Sequence, residues 1–212
     1  MEKDIIKTGT TTVGIVCREG IVLAADKRAT AGYLLVNRKE EKIIQISDNL
    51  AVTTAGIVSD VQLLVKIIKA QLKLDEIRRG KPVNVKEAAN LLAGLLYSNI
   101  RKFSRIPGIA AFLLGGKDSS GFYLYDLNMD GSITRYDDYA STGSGCVMAY
   151  GVLETLYDKN VTINDGIKLA VKAVNAAIQR DIASGNGIDV VTVTSSGIKK
   201  VLEKEINTKI TM

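Results

Sequence analysis

The chain has 212 residues, 46% apolar and 24% charged, which excludes disorder and collagen-like repeats and is enough for a sizeable core. There is no histidine, so Ser-His-Asp and Cys-His catalysis and histidine-ligated zinc are excluded. Cys17 and Cys146 are the only cysteines, too few for a disulfide scaffold or a four-cysteine metal site. The net charge is +5, yet no run of Lys or Arg exceeds two, and Lys66, Lys69 and Lys73 stand at the spacing of a solvated helix face. A nucleic-acid partner is therefore not expected. No apolar stretch approaches the roughly 18 residues of a membrane span, and the charged start Met1-Glu2-Lys3-Asp4 does not read as a signal peptide. The expectation is a cytoplasmic protein with reduced thiols and no membrane partner.

β-branched and apolar runs at 11–17 and 21–27, broken by Glu19-Gly20, predict a first strand pair. Residues 41–46 and 50–55 predict a second, around Ser47-Asp48-Asn49. Ile57, Val61, Leu64, Ile68 and Leu72 then recur at spacings of three and four, the mark of an amphipathic helix that Gly80-Lys81-Pro82 ends. Asn84 with Glu87 reads as a capping box opening a second helix that runs to about residue 103. Strands are predicted at 109–115, 122–127 and 132–136, a third helix after Gly145, a fourth over about 164–183, and strands at 188–194 and 197–202. Strand blocks alternate with pairs of helices, which argues against a doubly wound parallel sheet, whose crossovers are single helices. The pattern predicts one α+β domain, a four-layer αββα sandwich of two antiparallel sheets flanked by helix pairs.

Three ionisable residues break the burial pattern. Lys42 shares strand parity with Ile44 and Ile46, Asp26 ends the apolar run 21–25, and Asp181 continues the stripe of the fourth helix set by Val174 and Ile178. A carboxylate near a helix C-terminus opposes the macrodipole, so Asp181 does not serve that helix. Either each charge reaches solvent at the end of its element, or the three meet in one site where a buried lysine needs a carboxylate.

Without imidazole, a Ser, Thr or Cys nucleophile needs another base. An α-amine is neutral in about a sixth of molecules at pH 7, a lysine in about one in 2,500. An N-terminal Thr or Ser therefore carries nucleophile and base together. The chain starts at Met1, so such a residue has to be exposed by cleavage. Gly9-Thr10 offers a site, because glycine permits the bent backbone needed for Thr10 to attack its own peptide bond. The run Thr10-Thr11-Thr12 is equally what an ordinary β-branched strand start looks like.

Five blocks, in order, closely resemble a proteasome β subunit, most strongly of the archaeal type: Gly9-Thr10-Thr11-Thr12-Val13-Gly14-Ile15, Ala24-Ala25-Asp26-Lys27-Arg28-Ala29-Thr30, Ala55-Gly56, Ala140-Ser141-Thr142-Gly143-Ser144-Gly145 and Arg180-Asp181-Ile182-Ala183-Ser184-Gly185. The resemblance implies an N-terminal-nucleophile hydrolase fold and a threonine endopeptidase made as a zymogen. A propeptide, residues 1–9, would be removed by autocatalytic cleavage between Gly9 and Thr10, leaving one catalytic domain, 10–212. It implies Thr10 as nucleophile and, through its α-amine, base. Lys42 would lower the pKa of the Thr10 hydroxyl and Asp26 would hold that lysine. Ser144, Asp181 and Ser184 would support the amine, the Gly56 N–H would serve as oxyanion donor, and Arg28 would be structural. The pocket for the residue before the cleaved bond would be lined by Ala29, Ile44, Thr54 and Val58 with Glu40 nearby. That favours cleavage after hydrophobic residues, with Glu40 able to admit basic ones. Cys146 departs from the small serine that many relatives carry there. The implied partners are other β subunits in homo-oligomeric seven-membered rings, α subunits, a regulatory unfolding ATPase and unfolded protein substrates degraded in a closed chamber, and the resemblance implies no metal or organic cofactor.

The rival within the same fold is a non-catalytic ring subunit, against which stand Thr10, Asp26 and Lys42 together. The simpler bacterial two-ring relative shares the Thr-Thr start but fits the Arg-Asp-x-x-Ser-Gly block less well. A dinucleotide-binding reading of Gly143-Ser144-Gly145 fails at Met148, and no P-loop is present.

Overall fold

The structure is a computed structural model that describes residues 9–206. Apart from Gly9, the expected propeptide lies outside the described residues, as do residues 207–212.

The runs read from the sequence as strands sort into two antiparallel sheets. In the first, β1 (Thr11–Cys17) and β2 (Gly20–Asp26) pair across a tight turn, with Thr12 opposite Ala25. β10 (Tyr139–Gly143) lies on the far side of β1, and β11 (Gly187–Thr194) and β12 (Gly197–Glu205) extend the sheet beyond β2. The second sheet runs in chain order: β5 (Ile43–Ser47), β6 (Leu50–Gly56), β7 (Ala110–Asp118), β8 (Gly121–Leu127) and β9 (Ile133–Tyr136). Between them in the chain, β3 (Ala29–Ala31) and β4 (Leu34–Asn37) form a separate two-stranded hairpin.

Each sheet carries apolar residues on both faces, so three cores form. Ile21, Leu23, Leu113 and Leu124 fill the space between the sheets. Phe112, Leu114 and Leu127 pack outward against α1 (Val58–Arg79) and α2 (Val85–Ile100). Val13, Ile15 and Val22 pack against α3 (Cys146–Leu156) and α4 (Ile163–Ile178). This is the predicted four-layer αββα order. The predicted stripe of α1 is buried at Val61, Leu64, Ile68 and Leu72, joined by Val65, while Ile57 stands half-buried at the N-cap and Gly80 closes the helix in the left-handed conformation, φ 64°.

Several local expectations change. Asn84 does cap α2 by accepting from the Glu87 N–H at 2.8 Å, but the Glu87 carboxylate turns to Arg79 instead of completing the box. That helix stops at Ile100, and Phe103 stands in solvent. α4 is shorter than predicted, ending at Ile178, because the Asp181 carboxylate accepts from the Ala183 N–H (3.1 Å) and closes a turn of its own. Asp181 is therefore not a helical residue. The deeply buried side of α4 is made of Gly166, Leu169, Ala170, Ala173, Val174 and Ala177. The larger Ile167, Val171 and Ile178 flank it half-buried, since small residues let the helix lie close on the sheet. The hairpin β3–β4 and strand β10 were not anticipated from apolar patterning.

Candidate active site

Strand ends and one loop build the site. Asp26 is the last residue of β2, Thr10 immediately precedes β1, and Lys42 immediately precedes β5. Asp26 is almost wholly buried, and both of its oxygens are used. Oδ1 accepts from the Lys42 ammonium (2.7 Å) and the Thr11 N–H (2.9 Å), and Oδ2 accepts from the N–H groups of Arg28 (2.9 Å) and Gly185 (2.9 Å). Of the two openings left by the sequence, Lys42 and Asp26 meet, whereas the half-buried Asp181 touches neither and reaches the site through Ser144 and Ser184. Lys42 is itself 3% exposed. Burial pulls its pKa down, against the upward pull of Asp26. Lys42 and Ile44 line one cavity, and Ile44 also packs with Ile46 against the outer core, as their shared parity suggested.

The Gly9–Thr10 peptide lies against this pair. The Thr10 hydroxyl donates to the Gly9 carbonyl oxygen at 2.7 Å, and the Lys42 ammonium lies 3.5 Å from the same oxygen. The Thr10 N–H donates to Ser144 Oγ at 3.2 Å. Ser144 and Ser184 each donate at 2.6 Å to Asp181 Oδ2, and Ser184 Oγ also shares a 2.7 Å hydrogen bond with the Thr11 hydroxyl. Two glycines make this approach possible. A Cβ on Gly9 would fall on the Ala183 side chain, and one on Gly143 (φ 96°) would fall on the Thr10 carbonyl oxygen.

Thr10 and Gly56 line one cavity of about 250 Å³ with Ala29, Glu40, Ile44, Thr54 and Val58, the residues expected to form a pocket. Gly56 ends β6 at φ 123°, where a Cβ would meet the Ile109 carbonyl oxygen. Arg28 is a strut: its Nε donates to Asn186 Oδ1 (2.8 Å) and its Nη1 to the Ile182 carbonyl oxygen (2.6 Å), which pins the loop that carries Asp181 and Ser184.

Sequence reasoning missed Thr11, Ala183 and Asn186, which hold this arrangement. Among the described residues Asn186 is the only non-glycine with positive φ, 63°, and the Asn-Gly pair within Gly185-Asn186-Gly187 is the signal that could have found it. Asp126 was also missed. It sits in the buried run Leu124, Tyr125, Asp126, Leu127, and its Oδ1 has no partner. Burial raises its pKa to about 6, with the neighbouring Asn128 pulling the other way. A carboxylate inside an apolar strand is the same signal that singled out Asp26. The free Cys17 is a core residue whose thiol burial pushes to about 12.

The model of the proteasome subunit family matches residues 6–193. Proteasome subunit beta of Archaeoglobus profundus is 43% identical over 205 residues, 97% of this chain and 94% of its own length. The corresponding subunit of Ferroglobus placidus is 42% identical over 97% of this chain and 96% of its own length, and that of Methanopyrus kandleri 39% identical over 97% of each. The chain belongs to the proteasome β subunit family. The family resemblance read from five short blocks thus extends over nearly the whole chain. No described helix is long and apolar enough to cross a membrane.

Breaking a buried pair by removing one partner costs about 3–5 kcal/mol. Asp26→Ala strands Lys42 and also leaves the amides of Thr11, Arg28 and Gly185 without their acceptor. Its urea midpoint is expected to fall further than that of Lys42→Met, which leaves Asp26 its three amide donors. Equal or reversed losses would show that the carboxylate is not the element that joins these segments.

Proposed function

We propose that this chain is a catalytic threonine endopeptidase subunit of a proteasome core particle, made as a precursor with residues 1–9 as propeptide. The observation that carries the reading is that the Gly9–Thr10 peptide lies on the Lys42–Asp26 pair with the Thr10 hydroxyl 2.7 Å from the Gly9 oxygen. In the precursor, Thr10 Oγ attacks the Gly9 carbonyl carbon and the C–N bond breaks. The acyl group moves to oxygen as an ester, and the α-amine is released. Water hydrolyses the ester, leaving a Gly9 carboxylate and Thr10 as first residue.

In the mature chain the α-amine takes the Thr10 hydroxyl proton, through water, and Oγ attacks the substrate carbonyl. The Lys42 charge lowers the cost of forming the alkoxide, and the Gly56 N–H receives the oxyanion, an effect typically of about 3–4 kcal/mol. The protonated amine gives its proton to the leaving nitrogen, and water then hydrolyses the acyl ester. Ser144, Asp181 and Ser184 hold the amine through the hydrogen bonds from Thr10 to Ser144 and on to Asp181. The mostly small or apolar cavity lining suits a hydrophobic residue before the cleaved bond, while Glu40 extends it to basic ones.

The assembly is read as β rings of seven between α rings, fed with unfolded protein by an ATPase in the cytoplasm. Exposed apolar side chains on the lone chain support burial against neighbouring subunits, among them Tyr33, Leu34 and Val36 on the β3–β4 hairpin and Leu63 and Ile77 on α1. Enclosure keeps folded proteins away from a site with little substrate selectivity.

In assembled particles Thr10→Ala is expected to abolish cleavage of a fluorogenic peptide, and Thr10→Ser to retain part of it. Lys42→Ala is expected to lower it by about 10²-fold or more. Peptide cleavage by Thr10→Ala at the wild-type rate would overturn the reading in favour of a non-catalytic ring subunit. Gly9→Val should slow propeptide removal, followed by mass spectrometry, because its side chain meets Ala183. Adding Ala183→Gly should restore part of the rate, and a Gly9→Val precursor processed as fast as wild type would remove Gly9 from the account.

A further inference from the structure

Thr10, Ala55 and Gly56 also line a second cavity, of about 370 Å³, walled by β7, β8, β10 and the first residue of α3. Its size falls within the roughly 300–1,000 Å³ of ligand pockets. The first cavity takes its other walls from β3, β5, β6, α1 and the segment before β5, so a peptide whose carbonyl lies between Thr10 and Gly56 has room on two sides. The chemistry says which half goes where. The Thr10 nitrogen must hand a proton to the leaving amine, and that nitrogen faces Ser144. Gly143 and Cys146, on either side of Ser144 in the chain, line the second cavity. The leaving half of the substrate therefore belongs there.

We propose, on the basis of the threonine peptidase reading, that this second cavity holds the side chain of the residue after the cleaved bond and that Asp126 selects one with an apolar stem and a cationic tip. Asp126 lines the cavity, is 7% exposed, and has an oxygen with no hydrogen-bond partner. That oxygen, Oδ1, is closed to solvent, so the carboxylate is short of a donor, and an ammonium or guanidinium entering the cavity brings donors and the opposite charge to the group. Ile109, Ala111 and Met129 offer apolar surface to the methylene stem of lysine or arginine. No other group in the proposed mechanism uses Asp126.

The test uses assembled particles and quenched peptides that differ only after the cleaved bond, carrying lysine, its uncharged isostere norleucine, or glutamate. Mass spectrometry fixes the bond cut, and assays run at pH 8, where a carboxyl of pKa about 6 is ionised. The lysine peptide is expected to be cleaved with kcat/KM about ten-fold above the norleucine peptide, the size of a charge-assisted hydrogen bond, with glutamate poorest. Asp126→Asn should bring the lysine-to-norleucine ratio close to one. The ratio is taken within one preparation, so general losses divide out. If that variant does not assemble, Cys146→Phe narrows the same cavity without altering Asp126. It should lower cleavage of the lysine peptide relative to one with glycine in that place. Equal cleavage of lysine and norleucine peptides by wild type, or an unchanged ratio in the variants, overturns the proposal and leaves the peptidase reading standing. A lysine preference that maps before the cleaved bond overturns it as well. Cleavage of none of the peptides overturns the peptidase reading and this inference with it.

Discussion

The Asp26 carboxylate is the constraint on which the site depends. It takes the Lys42 ammonium and the amides of Thr11, Arg28 and Gly185, and so ties β1, the turn after β2, the start of β5 and the loop before β11 to one point. A lysine buried in this way stays cationic only with such a partner, and desolvation still pulls its pKa down. Replacing the pair by apolar residues would satisfy packing but would leave the Gly9 oxygen and the Thr10 hydroxyl with no charge beside them. The arrangement makes sense as chemistry more readily than as stability.

Rigid sheets set the geometry around that point. Thr10 is held because β1 is paired on both sides, Thr11 opposite Gly143 of β10 and Thr12 opposite Ala25 of β2. β6 brings Gly56 to the same end of the second sheet, and the apolar layer between the sheets fixes their separation. Glycine at 9 and 143 allows backbone to approach backbone where any side chain would collide. Arg28 then clasps the loop at Ile182 and Asn186, so that Asp181 and Ser184 face Thr10 and Thr11 from the opposite side.

Much of this was legible in the residues, for physical reasons. Long apolar runs and the α1 stripe carry their period openly, and the absence of histidine forces attention onto a threonine with its own amine. Asp26 and Lys42 stood out as charges within buried patterns. What pattern alone left open was whether they meet, because that depends on the register between β1, β2 and β11 and on the entry into β5. Strand β10, Tyr-Ala-Ser-Thr-Gly, is too small and polar to show a period of two, and its pairing with β1 is tertiary. Asp181 misled by continuing a helical spacing past the point where its own carboxylate closes the chain into a turn. Asn186 carries a local turn signal in Gly185-Asn186-Gly187, but that signal does not say that its side chain receives Arg28, which is a tertiary contact.

The central claim is that a threonine becomes the first residue and supplies both hydroxyl and amine. Intact mass measurement of the chain taken from peptide-cleaving particles tests it most directly. A mass beginning at Thr10 is the predicted result. Active particles in which every copy still begins at Met1 would contradict it.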